Sequence, residues 1–285
     1  MIAKDNIFSL KYTLNLKGKL THLREPIVMG ILNVTPDSFY DGGNYLSQAN
    51  IQKRAEKMLS EGAYLIDIGG YSSRPGAKDI STAEEIKRVT DGIKFVLEVD
   101  RNACISVDTF RASVAEAALN EGACMVNDIS GGELDRRMVD VISQWNVPYV
   151  MMHMRGTPQD MASKTDYDNL LLDVLDYFQN KINLLRSRGV NDIIIDPGLG
   201  FAKKAEQSFE LIRKLSAFQV FELPVMLGVS RKSMIYKTLG INPEEALNGT
   251  TILNVLGLVN KASILRVHDV KEAVECIKLF KYVVN

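Results

Sequence analysis

Residues 103–128, ACISVDTFRASVAEAALNEGACMVND, contain one complete copy of the pattern that decides the fold. Two short apolar runs, ACISV and ACMV, flank a helix-like stretch over residues 111–121. The first run ends on Asp108, and the second ends on Asn127 and Asp128. Continuous apolar runs of this length suit strands that are buried on both faces, as in a parallel sheet. This stretch therefore predicts a strand–helix–strand unit.

The same alternation recurs along the rest of the chain. Helix-like stretches also cover residues 49–61, 82–99 and 170–188. Further apolar runs end at these polar positions: Asn33, Asp67, His153, Asp196, Ser230, Arg231, Lys232 and His268. About eight strand-plus-helix units predict an α/β fold, the (β/α)8 TIM barrel, whose catalytic residues cluster at the carboxyl ends of the strands. We therefore expect the polar residues to converge on one mouth of the barrel.

The amino-terminal segment predicts a β-hairpin outside the barrel. Residues 8–15 alternate apolar and polar side chains, residues 17–19 can turn the chain, and residues 20–23 can return. We expect residues 1–24 to plug the bottom of the barrel. Residues 1–285 should form a single domain, because barrels of roughly 250 residues commonly do so.

Composition excludes several classes of protein. Hydrophobic residues make up 46% of the chain, and 34 Lys and Arg against 35 Asp and Glu give a net charge of −1. We therefore expect no nucleic-acid and no membrane partner. No apolar run approaches a membrane span, and the amino terminus has no signal-peptide core. Cys104, Cys124 and Cys276 show no CxxC spacing, which favours buried free thiols in a cytoplasmic protein.

Two loops rich in glycine and proline, over residues 34–47 and 69–81, follow predicted strands and should lie at the mouth. The strings Asn33-VTPDSFYDGG and Asp67-IGGYSSRPG within them resemble two signatures of the dihydropteroate synthase family. Six further strings resemble that family's motifs in the same order: SVDT (106–109), VNDISGG (126–132), MHMRG (152–156), DPGLGF (196–201), SRKS (230–233) and RVHD (266–269). Eight strings in register make the resemblance specific.

The resemblance implies a folate-pathway transferase on a pterin-binding TIM barrel. Such an enzyme joins 6-hydroxymethyl-7,8-dihydropterin diphosphate to 4-aminobenzoate, giving 7,8-dihydropteroate and diphosphate. The resemblance further implies a homodimer, Mg²⁺ as cofactor and a response to sulfonamides. The apolar run at residues 251–259 suits either a core-facing helix or such a dimer surface.

The residue types suit recognition of a pterin. An amino-pyrimidinone edge carries several donors and acceptors, so its site needs buried carboxylates and amides. Asp108, Asn127 and Asp196 supply them from the third, fourth and sixth predicted strands. Each could instead cap the following helix, and for Asp108 that alternative is serious. Lys232 directly follows an apolar strand, so its ammonium should point into the mouth and donate to the pterin carbonyl.

Arg266 and His268 alternate along the last predicted strand and should face the same way. They could form a salt-bridged pair at the end of the barrel, but two cations aimed at one point fit a diphosphate better. We expect catalytic roles for Asp108, Lys232, Arg266 and His268, with Arg266 also against the pterin. For His153, a structural role and a site role are equally supported.

The resemblance assigns the remaining contacts. Diphosphate is expected at Asn33, Ser73, Arg74, Arg266 and His268, with Mg²⁺ held by the Asn33 amide oxygen. Aminobenzoate is expected at Phe39, Ser73, Pro75, Phe201, Lys232 and Ser233. No protein nucleophile or base is required, because the arylamine attacks the exocyclic methylene as diphosphate leaves along a dissociative path.

The chain departs from the family pattern at Val229, Gln207, Ser208 and Met234, and at two positions within the second loop. Family members often have Glu where Tyr71 stands and Thr where Ser73 stands. Three alternatives remain open: a pterin-dependent methyltransferase, a non-catalytic pterin-binding paralogue, and an unrelated phosphate-handling barrel. Dependence on diphosphate distinguishes the synthase from the methyltransferase, and turnover distinguishes it from the non-catalytic paralogue. The set of Asp108, Asn127 and Asp196 disfavours the phosphate-handling barrel.

Overall fold

Strands and helices alternate along the chain. The computed structural model describes residues 12–35, 48–72 and 79–284. Its strands are β1 (Tyr12–Leu16), β2 (Lys19–Leu23), β3 (Ile27–Asn33), β4 (Leu65–Gly69), β5 (Ile105–Asp108), β6 (Met125–Asp128), β7 (Tyr149–Met152), β8 (Ile193–Asp196), β9 (Met226–Leu227) and β10 (Ile264–Val267). Its α-helices are α1 (Gln48–Glu61), α2 (Thr82–Val99), α3 (Ala112–Glu121), α4 (Met138–Trp145), α5 (Leu170–Ser187), α6 (Ala205–Arg213), α7 (Ser233–Leu239), α8 (Leu247–Val259) and α9 (Val270–Val284).

Strands β3 to β10 pair in parallel and close into a ring. The order is β8-β7-β6-β5-β4-β3-β10-β9, and a parallel bridge between Ile195 and Val225 joins β8 to the residue before β9. The register places Asp108 beside both Gly69 and Asn127. All eight carboxyl ends therefore open on one side, called the mouth below, and the opposite end is called the base. The predicted (β/α)8 barrel is confirmed.

The predicted hairpin is also present. β1 pairs antiparallel with β2 through Lys17 and Gly18, whose φ angles of 52° and 73° are both positive. Two positive φ angles are what a type I′ hairpin turn requires. Residues 8–11 of the predicted first strand lie outside the described residues.

Local sequence explains where helices begin and end. The Ser81 hydroxyl accepts a hydrogen bond from Glu84 N at 3.2 Å, which satisfies a free amide in the first turn of α2. Gly122 ends α3 with a φ of 118°, a left-handed conformation that favours glycine. The helices predicted over residues 49–61, 82–99, 111–121 and 170–188 all form, each within one residue of its predicted ends.

The hairpin packs against the base of the barrel. Leu14, Leu16 and Leu23 join a buried apolar cluster, called the base cluster, with barrel residues Met29, Leu65, Cys124, Met125, Val150, Ile194, Met226 and Ile264. A backbone contact fixes its position, because Asn15 N donates to Asp192 Oδ2 at 2.6 Å just ahead of β8. The hairpin therefore closes the base of the barrel, and the apolar surface buried between them stabilises this arrangement.

Within the described ranges, none of the helices combines the length and hydropathy that a membrane span needs.

Candidate active site

An ion network joins four strands at the centre of the mouth. Arg266 donates through Nε to Asp67 Oδ2 and through Nη2 to Asp108 Oδ2, both at 2.6 Å. Asn127 Nδ2 donates to the same Asp67 oxygen at 2.9 Å. The Asp67 side chain is fully buried and that of Arg266 is 18% exposed, so these charges interact with little screening. The alternative that Asp108 merely caps a helix does not hold, because its carboxylate pairs with Arg266.

The network is not fully satisfied by the protein itself. Asp67 Oδ1 is buried and has no hydrogen-bond partner among the described residues. Burial raises the pKa of Asp108 to about 7, against the opposing attraction of Arg266. Burial also disfavours the Arg266 charge, but Asp67 and Asp108 outweigh it and raise the Arg266 pKa. The centre of the mouth therefore holds a permanent cation and a carboxyl that titrates near neutral pH.

Asp196, the last residue of β8, and Lys232, which directly precedes α7, line a second part of the mouth. Lys232 Nζ donates to Leu199 O at 2.7 Å and lies 4.7 Å from the centroid of the Phe201 ring. Lys232 Nζ and Asp196 Oδ2 lie 3.7 and 3.9 Å from the point where a Cβ would stand at Gly228, so both line the space over that glycine. Burial lowers the pKa of Lys232 to about 8, and Asp196 opposes this shift.

Lys203, a second buried lysine, holds the loop that follows Asp196. Its Nζ lies 2.8 Å from His153 Nδ1 and donates to the backbone oxygens of Gly198, Phe201 and His153 at 3.1, 3.1 and 3.3 Å. Gly198 has a φ of +69°, and a Cβ there would lie 2.0 Å from His153 O, so only glycine allows this approach. His153 therefore lies beneath the loop as a structural partner.

Both of these buried groups have strongly shifted pKa values. Burial lowers the pKa of Lys203 to about 7, with Asp196 opposing the shift. Burial, together with the positive charge of Lys203, lowers the pKa of His153 to about 2. A neutral His153 ring can accept a hydrogen bond from the Lys203 ammonium.

His268 lies beside the network without bonding to it. Its Nδ1 is 3.0 Å from Ser230 Oγ, and its backbone N–H donates to the same hydroxyl at 3.1 Å. Burial and the nearby Arg266 charge lower the pKa of His268 to about 4, so the ring is neutral at pH 7. The expectation that Arg266 and His268 together face a bound diphosphate stays a prediction.

Asn33 brings an amide oxygen close to the network. Asn33 Oδ1 and Asp108 Oδ2 lie 3.4 and 3.7 Å from the point where a Cβ would stand at Gly69. These oxygens and the unpartnered Asp67 Oδ1 are hard donors of the kind that Mg²⁺ binds. Among the described residues, no group of three or more His, Cys, Asp or Glu side chains could hold a metal ion. A metal here would depend on Asn33, a carboxylate and oxygens of water or substrate.

Arg111 holds both described ends of the second loop. Its guanidinium lies 5.3 Å from the centroid of the Tyr71 ring and donates to Asp79 Oδ1 at 3.0 Å. The Tyr71 hydroxyl accepts from Gln159 Nε2 at 2.9 Å, and its ring meets Phe110 edge to face at 5.2 Å. Tyr71, which departs from the family pattern, therefore links this loop to those after β5 and β7.

The other predicted contacts divide into two groups. Phe201 lies under Lys232, and Ser233 is exposed at the first residue of α7. Four predicted contacts lie outside the described residues: Phe39, Ser73, Arg74 and Pro75.

Asp67 and Lys203 belong to the site but were not among the predicted ligands. Asp67 ends an apolar run, which is the signal that singled out Asp108, so the sequence did contain the means to find it. Lys203 stands next to Lys204, and no local pattern distinguishes the buried lysine from its exposed neighbour.

Comparison with known proteins agrees with this geometry. Residues 29–268 match the family of pterin binding enzymes. The dihydropteroate synthase of Synechocystis sp. is 43% identical over 265 residues, covering 92% of this chain and 90% of the relative. The Yersinia pestis dihydropteroate synthase, solved with a sulfonamide drug, superposes with a TM-score of 0.89 at 37% identity, covering 95% of this chain and 99% of that one.

A further solved structure contains the expected product. The dihydropteroate synthase of Xanthomonas albilineans in complex with 7,8-dihydropteroate superposes with a TM-score of 0.86 at 31% identity, covering 95% of this chain and 98% of that one. The fold and the mouth thus define a pterin-binding enzyme on a TIM barrel. Within that class, the chain belongs to the dihydropteroate synthase family of transferases.

Proposed function

We propose that the mouth condenses 6-hydroxymethyl-7,8-dihydropterin diphosphate with 4-aminobenzoate, giving 7,8-dihydropteroate and diphosphate. The observation that carries the proposal is the buried Asp67–Arg266–Asp108 network with Asn127 bound to it. It places carboxylate and amide groups beside a permanent cation, which suits an amino-pyrimidinone ring next to an anionic leaving group.

Asp196, Asn127 and Lys232 bind the pterin edge in this proposal. Asp196 Oδ1 already accepts Gly198 N at 2.7 Å, whereas Oδ2 lies over Gly228 beside Lys232. Oδ2 is therefore available to donors of the ring, and the Lys232 ammonium is available to its carbonyl. A buried carboxylate that finds no donor is destabilising, so analogues that lack those donors are rejected.

Arg266 and His268 receive the diphosphate. Arg266 is already charged, whereas His268 is neutral in the free protein and has no hydrogen bond at Nε2 among the described residues. An anion within reach of the ring favours its protonated form. Binding of the diphosphate is therefore expected to raise the pKa of His268 and to draw a proton from solvent near neutral pH.

The chemistry needs no nucleophile from the protein. The amine of 4-aminobenzoate attacks the exocyclic methylene, the carbon–oxygen bond to diphosphate breaks, and diphosphate leaves with the electron pair. Positive charge that develops on the pterin is stabilised by Asp108, and negative charge on the leaving group by Arg266. The amine then loses a proton to water or to the departing anion. The residues here orient the reactants and offset charge.

The donor set at the mouth fits Mg²⁺. Asn33 Oδ1 and Asp108 Oδ2 lie close to the same point beside Gly69, and Asp67 Oδ1 has no protein partner in the described chain. Mg²⁺ commonly uses one or two protein oxygens and completes its shell with water and phosphate. When bound, the ion would supply additional charge to stabilise the diphosphate.

Aminobenzoate is proposed to lie outside the pterin, against Phe201, Lys232 and Ser233. Phe201 and Lys232 form a cation–aromatic wall, and Ser233 is exposed next to them. The proposed contacts with Phe39, Ser73 and Pro75 stay predictions. Competition by sulfonamides at this position is also proposed, as the Yersinia pestis structure contains such a drug.

A homodimer through α8 is part of the proposal. Ile252, Leu256 and Val259 recur at intervals of four and three residues along α8 and are exposed. Such an apolar stripe on a helix favours a protein partner. A single domain over residues 1–285 and a cytoplasmic location remain predictions from the sequence.

Isothermal titration with the pterin diphosphate, with and without Mg²⁺, tests this function. We expect tight binding with Mg²⁺, weaker binding without it, and formation of 7,8-dihydropteroate once 4-aminobenzoate is added. Pterin binding that is indifferent to the diphosphate would favour the methyltransferase alternative. Binding without turnover would favour the non-catalytic paralogue.

A further inference from the structure

Two cysteines meet at the base, at the opposite end of the barrel from the mouth. Cys104 immediately precedes β5 and Cys124 immediately precedes β6, and these parallel strands pair with Ser106 beside Met125. Cys124 N donates to Ile105 O at 2.8 Å, which extends the pairing to the residues around both cysteines. The Cα atoms of positions offset by one residue on neighbouring strands lie about 6 Å apart, which a disulfide spans if the side chains share a face. Cys104 and Cys124 meet that condition, because both side chains pack with the same apolar cluster at the base.

The two thiols pack with the same apolar cluster. Cys124 is a buried member of the base cluster, and the partly exposed Cys104 packs against that cluster. A hydrogen bond from Cys124 lowers the pKa of the Cys104 thiol to about 7; burial opposes the shift and Lys17 adds to it. The same contact, with burial, raises the pKa of Cys124. One thiol therefore has a lowered pKa beside a partner whose pKa is raised, which favours the thiolate on Cys104.

The hairpin supplies the cation and the cavity next to this pair. Lys17, in the turn between β1 and β2, donates through Nζ to Arg101 O at 3.0 Å. A cavity of about 410 Å³ opens at the base, lined in part by Lys17, Arg101, Trp145 and Cys124. The cavity reaches Cys124, and Cys104 is itself partly exposed, so a small solute can approach the pair from solvent.

We propose that Cys104 and Cys124 form a site of reversible oxidation, where a small hydroperoxide converts the two thiols into an intramolecular disulfide. An accessible, partly ionised thiol next to a second thiol is the arrangement that reacts with peroxides and then resolves as a disulfide. The proposal goes beyond the function of the mouth and does not depend on it.

The reaction proceeds in two balanced steps. The Cys104 thiolate attacks one oxygen of the hydroperoxide, the oxygen–oxygen bond breaks, and the departing alkoxide or hydroxide takes up a proton. Cys104 is then a sulfenic acid. The Cys124 sulfur attacks the Cys104 sulfur, the sulfur–oxygen bond breaks, and the hydroxyl leaves with the Cys124 proton as water. The two thiols lose two electrons in total, and the peroxide gains them.

Cys276 provides an internal control. It is buried in α9, its Sγ lies 4.0 Å from Thr251 O, and burial raises the pKa of its thiol. No second thiol lies beside it in the part of the chain that the structure describes. It should therefore react more slowly than Cys104 and form no intramolecular bridge.

Peptide mapping after graded hydrogen peroxide treatment tests the proposal. The reduced full-length protein is oxidised, alkylated, digested without reductant and analysed by mass spectrometry. We expect a cross-linked peptide pair that contains Cys104 and Cys124 and that disappears on reduction, while Cys276 stays alkylated. Cys276→Ser should form the same bridge. Cys124→Ser should stop at a sulfenic acid on Cys104 that a 1,3-diketone traps, and Cys104→Ser should leave Cys124 as a thiol.

Three outcomes overturn the proposal. They are oxidation of Cys276 ahead of the pair, over-oxidation of Cys104 in the unsubstituted protein without a bridge, and unchanged thiols at doses that fully oxidise free glutathione. Circular dichroism checks that each serine variant is folded. If one of them is not, peptide mapping of the unsubstituted protein and of Cys276→Ser still decides the question.

Discussion

The interior of the barrel is apolar at the base and charged at the mouth. At the base, leucines of the hairpin pack into a ring formed by the first residues of the barrel strands, and the cluster is apolar. At the mouth, the interior holds Asp67, Asp196 and Lys203 as buried charged side chains, with Arg266 partly buried among them. One Asp67 oxygen there has no partner among the described residues.

This difference separates stability from function along the barrel axis. Buried apolar surface stabilises a fold by about 25 cal/mol per Å². Buried charges cost free energy unless they are paired and fully hydrogen-bonded, so an incompletely satisfied network is more useful for binding than for folding. Substitutions at the base should therefore change stability and leave the chemistry intact, whereas substitutions at the mouth should do the reverse.

Asp196 and Asp192, at opposite ends of β8, give the sharpest comparison. Asp196→Ala should weaken pterin binding by about 2–5 kcal/mol, because the ring edge loses its buried charged partner. Asp192→Ala should leave pterin binding unchanged, since its Oδ2 accepts the Asn15 amide at the base. Pterin titration of the folded variants measures both. An Asp196→Ala affinity within a factor of two of the unsubstituted protein would remove this residue from the site.

Leu23 and Leu20, both in β2, test the base in the same way. Leu23 is 2% exposed and Leu20 is 67% exposed. Leu23→Ala should lower the free energy of unfolding by about 2–5 kcal/mol through the cavity it leaves, whereas Leu20→Ala should change it by less than about 0.5 kcal/mol. Urea denaturation measures stability, and turnover of the folded Leu23→Ala protein should be unchanged. A matching loss of kcat would mean that the two ends are coupled.

Lys203 and Lys204 are adjacent in sequence, but only Lys203 bonds to the loop after Asp196. Lys203→Met should weaken pterin binding by about 1–3 kcal/mol, because the carbonyls of Gly198 and Phe201 lose their donor and the loop shifts. Lys204→Met should bind normally. Titration and urea denaturation are measured on both variants. A loss of stability in Lys203→Met with unchanged pterin affinity would limit this lysine to folding.

The smallest expected effect is the contribution of the histidines to the pH dependence of stability. His153 and His268 have folded pKa values lowered to about 2 and about 4, against about 6.5 in an unfolded chain. As the pH falls below about 6.5, these two histidines take up protons in the unfolded chain while their rings stay neutral in the folded protein. Each ring therefore lowers the free energy of unfolding by up to about 1.4 kcal/mol per pH unit. His268→Gln should therefore flatten the decline between about pH 6.5 and 4.

The pH dependence of one protein alone does not isolate the histidines, because Asp108 changes the stability in the opposite direction. The pH slopes of variants are therefore compared. Its pKa is raised in the folded state, so it adds stability as pH falls through about 7. His22→Gln, on the exposed side of the hairpin, is the matched control for the substitution itself. Urea midpoints at several pH values measure the slopes. A change of slope in His22→Gln as large as that in His268→Gln would contradict the view that burial of His268 causes the pH dependence.

Much of the architecture could be predicted from local sequence. Helix α2 was expected over residues 82–99 and spans Thr82–Val99, because amphipathic spacing and the Ser81 cap are local properties. The polar residues after apolar runs were expected at the mouth. Asp108 and Asp196 are the last residues of their strands there, and Asn127 is the last but one of its strand. Parallel strands in a closed ring leave no other place for them.

The pairing within the mouth could not be predicted in this way. Arg266 was expected to face a diphosphate together with His268, and that stays a prediction. Its bonds to Asp67 and Asp108 and the lowered pKa of His268 in the free protein were not expected. Asp67 lies 199 residues from Arg266 along the chain, and no spacing rule connects positions so far apart. The state of His268 depends on burial, which is a property of the assembled barrel.

The sequence by itself determined the barrel, the hairpin, the edge at which the polar residues gather and the family resemblance, because these follow from short-range patterns of apolar and polar side chains. The tertiary structure alone decided which carboxylate meets which cation, which of two adjacent lysines is buried, and which two of the three cysteines are neighbours. Those pairings and the pKa values that result depend on distance and desolvation in three dimensions, and neither is encoded in local spacing.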